Sequence, residues 1–315
     1  MREKRVCVAM HTGSLGFKTQ LPVQSQSRLD PEAWEYESGG YALEGDGEEL
    51  TGRSTKSVRH LGLLEEAHRM SQYVPRLDWT ERALRVRQFV FDFWSESGRP
   101  PNLRQVKEGT HLSRRDIVQA YKELQTGIVV VVDQDSPNCD LLKAPPFSAF
   151  PSQVEMFIDE KFHSFIGCAH EAVAVSKMPQ FEGKEVRLES YCACCLEPVT
   201  LWSKEFEITK TQPRNPLVHC ATPVWDWVHY DMKSMCDNVN LVIDEEHARR
   251  YELQIGRRGI LFTLDQVRDY VEPAVGIRGW DYHWPSQSMD PERLIERLRE
   301  LGIDLSPWGL AEEER

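Results

Sequence analysis

Near the middle of the chain, residues 165–171 read FIGCAHE, which places a thiol at Cys168 and a carboxylate at Glu171. A second thiol, Cys236, lies in the run KSMCDN at 233–238. If residues 168–171 are helical, Cys168 and Glu171 share a face, because side chains three positions apart are neighbours on a helix. Thiolates are the ligands that soft metals prefer, and a carboxylate is the simplest proton carrier. The pattern therefore indicates a site that binds a soft metal and delivers a proton beside it.

The cysteines are concentrated in one region rather than spread as a disulfide framework. Six of the eight lie between 168 and 236, and eight in 315 residues is too dilute for a disulfide-stapled scaffold. Clustered cysteines in a large chain more often bind metal, catalyse or pack. The chemistry is therefore expected within residues 168–236.

Charge and hydropathy bound the class of protein. The net charge of −12 opposes nonspecific binding to nucleic acid, which relies on Lys and Arg displacing phosphate counterions. No apolar run approaches the ~18 residues of a membrane helix. The apolar stretch at the N-terminus is too short for a secretory signal. These features predict a cytoplasmic protein that does not contact a membrane, and the acidic charge argues against a nucleic-acid partner.

The order of elements predicts an α+β fold in four parts. They are an N-terminal extension, partly irregular, at 1–75; a winged-helix-like helical domain at 76–140; a cysteine-containing catalytic domain at 141–275; and a C-terminal extension with a helix at 276–315. The catalytic domain is expected to be a mixed α/β domain of short, mainly antiparallel strands flanked by helices. Strands are predicted at 128–132, 186–188, 199–202, 206–208, 239–243 and 260–262.

Capping residues place the helices. Thr80 and Ser113 are good starts for the first and third helices of the winged-helix-like domain, and Gly98 and Gly127 are good ends. Thr263 with Gln266 forms a capping box. Further helices are predicted at 56–71, 245–253, 264–271 and after Asp290. Residues 145–151, PPFSAFP, are predicted to be a rigid linker.

The motif order from about 75 to 275 resembles that of the organomercurial (alkylmercury) lyases. The first active cysteine of that family lies in a Cys-Ala-x-Asp context, matched here by Cys168 to Glu171. A Ser-x-Cys-x-x-x-x-Pro-Val context is similar to residues 190–199, where Cys192 is the cysteine and five residues rather than four precede Pro198. A Ser-aromatic-Cys step before an apolar strand is similar to residues 234–236. The chain differs from the family pattern in having Glu171 for Asp, Gly167 for a bulky aromatic residue, and Asp237 where a second cysteine often stands.

The resemblance implies protonolysis of carbon–mercury bonds, which releases a hydrocarbon and Hg(II). Cys168 and Cys236 would hold the substrate mercury, and Glu171 would pass the proton to carbon. Cys192 would be structural. No organic cofactor is required; Hg(II) leaves as a thiolate-bound product. The implied partners are a small organomercurial substrate and, as acceptor of the product, an external small thiol or a mercury reductase.

Other interpretations of these residues stay open on sequence alone. Cys168 and Cys236 are also compatible with small buried apolar side chains, Glu171 with a solvated helical carboxylate, and His170 with a packed side chain. Cys192-x-x-Cys195 has the spacing of half a zinc site, to which His219 or Cys220 would have to contribute.

A second function of a different class also fits. The helix-turn-helix rhythm of 79–133 is compatible with a thiol-based metal-binding regulator whose DNA-recognition helix begins at Arg114 and Arg115. The acidic chain, with Asp116 and Glu123 on that helix, favours instead a packing module of the same shape.

Overall fold

The computed structural model describes residues 78–127, 129–133, 135–224, 236–272 and 291–310. Within these ranges the chain forms seven α-helices and eleven strands in two antiparallel sheets, which confirms the α+β class. The predicted helix at 56–71, the irregular extension at 1–75 and the Ser234–Met235 step lie outside the described residues. None of the described helices combines the length and the apolar composition that a membrane span requires.

Three helices open the described chain, as the capping pattern predicted. They are α1 (Glu81–Ser97), α2 (Leu103–Thr110) and α3 (Arg114–Thr126). The Thr80 hydroxyl accepts from the N–H of Ala83, and the Ser113 hydroxyl accepts from that of Asp116, so both helix starts are capped by a side chain. Strand β1 (Val131–Val132) follows and pairs with β2 (Leu141–Ala144). The assignment of these elements to a winged helix stays a prediction.

The larger sheet has eight strands in the order β1-β2-β3-β5-β4-β6-β7-β8, and every neighbouring pair is antiparallel. After β1 its strands are β2 (Leu141–Ala144), β3 (Phe147–Ser148), β4 (Val154–Ile158), β5 (Lys161–Ile166), β6 (Val186–Tyr191), β7 (Pro198–Lys204) and β8 (Glu207–Gln212). The strands predicted at 186–188 and 199–202 are confirmed within β6 and β7, and the strand predicted at 206–208 overlaps the start of β8.

The prediction of a rigid linker at 145–151 is wrong. Phe147 and Ser148 form β3, which lies inside the sheet between β2 and β5, with Phe147 opposite Ile166. Phe147 is fully buried. A two-residue strand carries no alternation of apolar and polar residues, and its flanking prolines resemble a turn. The pairing therefore comes from tertiary contacts that the local sequence does not encode.

The smaller sheet has the order β10-β9-β11, with β9 (Leu217–Cys220) between β10 (Val239–Val242) and β11 (Ile260–Phe262). Helices α5 (Glu245–Ile255) and α6 (Leu264–Val271) follow β10 and β11, and their predicted positions are confirmed. Asp244 caps α5 by accepting from His247 N–H at 2.9 Å. The capping box of Thr263 and Gln266 is present at the start of α6.

The short helix α4 (Ala169–Ala174) follows β5. Contacts between the neighbouring elements fix the position of β5 and of the strands beside it. From the first helix, Trp94 stacks on Phe147 at a ring-centroid distance of 5.6 Å, and its indole N–H donates to the Ser164 hydroxyl at 3.2 Å. The Gln153 amide donates to Val239 O at 2.7 Å, which ties the start of β4 to the start of β10. These contacts bring the end of β5 close to the start of the smaller sheet.

The described tail adds one more helix, α7 (Pro291–Glu300), at the position predicted after Asp290. It is tied to α6 because Arg297 donates to Asp269 O at 3.0 Å and Gln266 donates to Leu301 O at 3.1 Å. Gly302 follows with φ +68°, a left-handed conformation that suits the end of a helix.

Candidate active site

The junction of β5 and α4 positions two of the predicted site residues. Gly167 follows the last residue of β5, and its N–H donates to Pro146 O at 2.8 Å. Cys168 is the N-cap of α4, with extended backbone (φ −162°), and Ala172 N–H donates to its carbonyl at 3.0 Å. Glu171 is the third residue of the helix. The predicted shared face of Cys168 and Glu171 is therefore created by the first turn of α4.

The third residue, Cys236, arrives from the other sheet, three residues before β10. The ligand atoms of Cys168, Glu171 and Cys236 all lie within 4.8 Å of one another. The Cys236 thiol donates to Glu171 Oε1 at 3.7 Å. The three ligand atoms therefore converge to within the ~4–6 Å expected of groups that share one metal.

All three residues are buried: 4% of Cys168, 5% of Glu171 and 0% of Cys236 is exposed. The solvated helical carboxylate that the sequence left open for Glu171 is therefore wrong. Burial alone would be compatible with small apolar packing of the cysteines. Apolar packing does not explain the buried carboxyl group beside the two thiols, because burying an ionisable group without a partner costs free energy.

The surroundings favour the neutral form of both thiols. Burial raises the pKa of the Cys168 thiol, and the neighbouring Cys236 thiol and the charge of Lys143 oppose that rise. The neighbouring Cys168 thiol, together with burial, raises the pKa of Cys236 well above its usual range. Because the Cys236 thiol donates to Glu171 Oε1, that carboxyl group is the acceptor for its proton.

Glu171 is suited to accept that proton. Burial raises its pKa from an ordinary 4.5 to about 7, although Lys143 and the neighbouring thiols favour the ionised form. Its Oε2 atom is buried and accepts no hydrogen bond from the part of the chain that the structure describes. A carboxyl group with a pKa near neutrality can both take and release a proton at physiological pH.

A lysine completes the charge balance of the site. Lys143 lies on β2, is 8% exposed, and its ammonium group contacts Asp237 Oδ1 at 3.1 Å. Burial lowers its pKa, but the negative charges of Cys236, Asp237 and Glu171 outweigh burial and raise it. Lys143 is therefore a buried cation that favours thiolate at Cys168 and Cys236. No sequence signal marks Lys143, because a single Lys in the short run LLKA has no motif around it.

The raised pKa of Glu171 predicts a pH-dependent stability. The folded state binds this proton more tightly than the unfolded state, so the contribution is fully present below pH 4.5 and is lost as pH rises through 7. Glu171→Gln, which cannot ionise, is expected to gain stability relative to the parent by about 3 kcal/mol between those two pH values. Denaturant unfolding of both proteins from pH 4.5 to 8 measures the difference; a constant difference would contradict the raised pKa.

The other cysteines and histidines of interest lie outside this cluster. Cys192 is buried in the turn between β6 and β7, where its N–H donates to Glu197 O at 2.8 Å; its structural role stays a prediction. His170 is buried too, with its ring edge-on to Phe262 at 5.2 Å, and burial lowers its pKa to about 3. His170 is thus a packed, neutral side chain.

The structure does not support a zinc site at Cys192 and Cys195. Within the described ranges, the group of three or more close metal-ligating side chains is that of Cys168, Glu171 and Cys236. His219, suggested as a further ligand, contacts Glu252 Oε1 at 3.2 Å, and the thiol of Cys220 donates to Thr222 O at 3.6 Å. Both are held in other contacts.

The segment that contains the cysteine cluster is similar to known proteins. Residues 147–272 match a family model described as MerB, alkylmercury lyase. The structure is similar to the solved structure titled "Crystal structure of the mercury-bound form of MerB2", with a TM-score of 0.51 and 15% identity, over 70% of this chain and 100% of that chain. At this identity the similarity shows a shared fold. No curated protein sequence matches the chain.

Proposed function

We propose that this chain cleaves the carbon–mercury bond of organomercurials by protonolysis, a proposal supported by the match of residues 147–272 to the alkylmercury lyase family model. The observation that carries the proposal is the buried cluster of two thiols and one carboxyl group, with all three ligand atoms within 4.8 Å of one another. Two thiolates supply affinity for a soft metal, and the carboxyl group supplies the proton that the departing carbon needs.

The reaction begins at Cys168, because the proton of the other thiol, Cys236, is donated to Glu171 Oε1. The Cys168 thiolate displaces the leaving ligand of R–Hg–X and forms a sulfur–mercury bond, and the ligand departs as X⁻. The Cys236 thiol, which donates to Glu171 Oε1, then gives its proton to that carboxylate and binds mercury through the thiolate so formed. Mercury stays divalent throughout. The second thiolate raises electron density on the carbon bound to mercury.

Protonation of carbon completes the cycle. Glu171, now a neutral carboxylic acid, transfers the proton to carbon as the carbon–mercury bond breaks. The hydrocarbon R–H leaves, Glu171 is a carboxylate again, and Hg(II) is held by the two thiolates. No organic cofactor takes part in these steps. Small thiols from solution, or a mercury reductase, remove Hg(II) by thiol exchange.

The test is to incubate the purified protein with an organomercurial and excess small thiol and to measure released hydrocarbon by gas chromatography. Catalytic release, in molar excess over protein, is expected. A protein that binds the organomercurial stoichiometrically and releases no hydrocarbon would refute the activity and leave metal binding.

The ammonium group of Lys143 is expected to favour the ionised form of both thiols. Lys143→Met keeps an unbranched apolar stem of similar size but removes the charge that favours thiolate at Cys168. We expect the thiol titration, followed by ultraviolet absorbance of thiolate, to move to higher pH, and hydrocarbon release at neutral pH to fall. Lys143→Arg retains the charge and should stay close to the parent.

A matched control separates this effect from a general loss of positive charge. Lys177 pairs with Glu272 at 3.1 Å, outside the cysteine cluster. Lys177→Met should leave the thiol titration where it is. If Lys143→Met titrated like the parent, the electrostatic role of Lys143 would be wrong.

One observation keeps the regulator hypothesis as a second candidate. Arg114 and Arg115 are exposed at the start of α3, although Arg114 donates to Pro137 O. A DNA-binding protein of this kind would shift a DNA fragment at low salt and lose the complex as salt rises. Absence of a shift at low salt would exclude it.

A further inference from the structure

Gly167 lies directly against the carboxyl group of Glu171. A Cβ atom built at position 167 would lie 2.2 Å from Glu171 Oε2 and 3.2 Å from its Cδ. Side-chain carbons do not approach other heavy atoms to less than 3.0 Å. The space in which Oε2 lies therefore exists because residue 167 has no side chain.

The backbone of Gly167 gives no other reason for a glycine. Its φ lies outside the positive range that favours glycine, so its conformation is open to other residues. The main chain at this point is also fixed from both sides. Gly167 N–H donates to Pro146 O at 2.8 Å, and the Ser152 hydroxyl donates to Ile166 O at 2.6 Å. The backbone cannot retreat from the carboxyl group without breaking these bonds.

The carboxyl group is the part that would move. It is the far end of a flexible side chain, whereas the Glu171 backbone is fixed in the first turn of α4. Its other oxygen, Oε1, is the acceptor for the Cys236 thiol. A side chain at 167 would thus displace the carboxyl group from the contact through which it takes a proton.

We propose that Gly167 is a positioning residue whose missing side chain allows a glutamate, rather than a shorter carboxylate, to serve as the proton carrier between Cys168 and Cys236. The inference rests on the proposed lyase function for its catalytic meaning. It makes residues 167 and 171 an interdependent pair. Shortening Glu171 to Asp withdraws the carboxyl group by about 1.5 Å, the length of one carbon–carbon bond. That withdrawal makes room for a Cβ at 167.

The experiment compares four proteins: the parent, Gly167→Ala, Glu171→Asp and the double variant. Gly167→Ala alone is expected to lower hydrocarbon release by about 10²-fold, the cost of misplacing a reacting group by about 1 Å. In the Glu171→Asp background the same change should cost far less, because the clash is gone. An equal loss in both backgrounds, or a Gly167→Ala protein as active as the parent, would overturn the proposal.

Gly109→Ala is the matched control for a clash elsewhere. A Cβ at 109 would lie 1.9 Å from the Phe89 ring, away from the cysteines. It is expected to lower the unfolding midpoint in denaturant by the same amount with Glu171 or with Glu171→Asp. Gly167→Ala should instead lower the midpoint more with the parent glutamate than with Glu171→Asp.

The unfolding comparison also separates the two proposals. If the parent releases no hydrocarbon, the lyase function fails, yet the dependence of residue 167 on residue 171 is still measured by the four unfolding midpoints. If the parent is active and those midpoints are additive, the lyase function stands and the positioning role of Gly167 fails.

Discussion

Glu171→Gln is expected to retain mercury binding and to lower hydrocarbon release by ~10²–10⁴-fold, the usual contribution of a positioned acid–base group. Mercury binding and hydrocarbon release are expected to respond differently, because thiolates hold the metal, whereas only an ionisable group can carry a proton to carbon. Gln has nearly the shape of Glu and fits the space beside Gly167. Turnover is measured as released hydrocarbon, and binding as Hg(II) retained after gel filtration.

Two variants sharpen this result. Glu171→Asp should keep part of the activity, because a carboxyl group remains and only its reach changes. Glu252→Gln repeats the same chemical change outside the cysteine cluster, at a carboxylate that contacts His219 and accepts from Gly259 N–H at 2.8 Å. It should turn over like the parent. A Glu171→Gln protein with parental turnover would remove Glu171 from the mechanism.

Local signals predicted the helices and several strands well. The caps at Thr80, Ser113 and Thr263 are side-chain hydrogen bonds to nearby backbone, so the sequence within four residues contains them. The strands between 141 and 166 were missed. Their pairing depends on partners such as Phe147 opposite Ile166, and β3 has two residues. β9 was missed for a similar reason, since LVHC is short and contains a histidine inside an apolar run.

The residues of the candidate site also differ in whether local sequence rules predict them. Cys168 and Glu171 are three residues apart, so helical geometry alone predicts that they meet. Cys236 was predicted only from the resemblance in motif order, because no local rule relates it to Glu171, 65 positions away. Lys143 had no motif at all. Glu171 and Gly167 stood out as two separate departures from the family pattern; their contact explains why both occur in one chain.

The cysteines carry the other large expected effect. Cys168→Ser and Cys236→Ser should each lose tight binding of Hg(II), and hydrocarbon release should fall to the uncatalysed background. A hydroxyl is a hard ligand that is hardly ionised at neutral pH, so it does not replace a thiolate on mercury. The variants should also differ from each other. Cys236→Ser keeps Cys168, the thiol proposed to react first, and is expected to form a one-thiolate adduct with the organomercurial, whereas Cys168→Ser loses that thiol.

Cys220→Ser is the matched control, since Cys220 is fully buried on β9 and its thiol donates to Thr222 O, a bond that serine can also make. Mass spectrometry of each protein after brief exposure to the organomercurial identifies the adducts, and gas chromatography measures turnover. Cys220→Ser should behave as the parent in both measurements. If either Cys168→Ser or Cys236→Ser released hydrocarbon at the parental rate, one thiolate would suffice. The proposed activation of carbon by two sulfur ligands would then be wrong, because the division of labour between the thiols requires both to bind mercury before the proton is transferred.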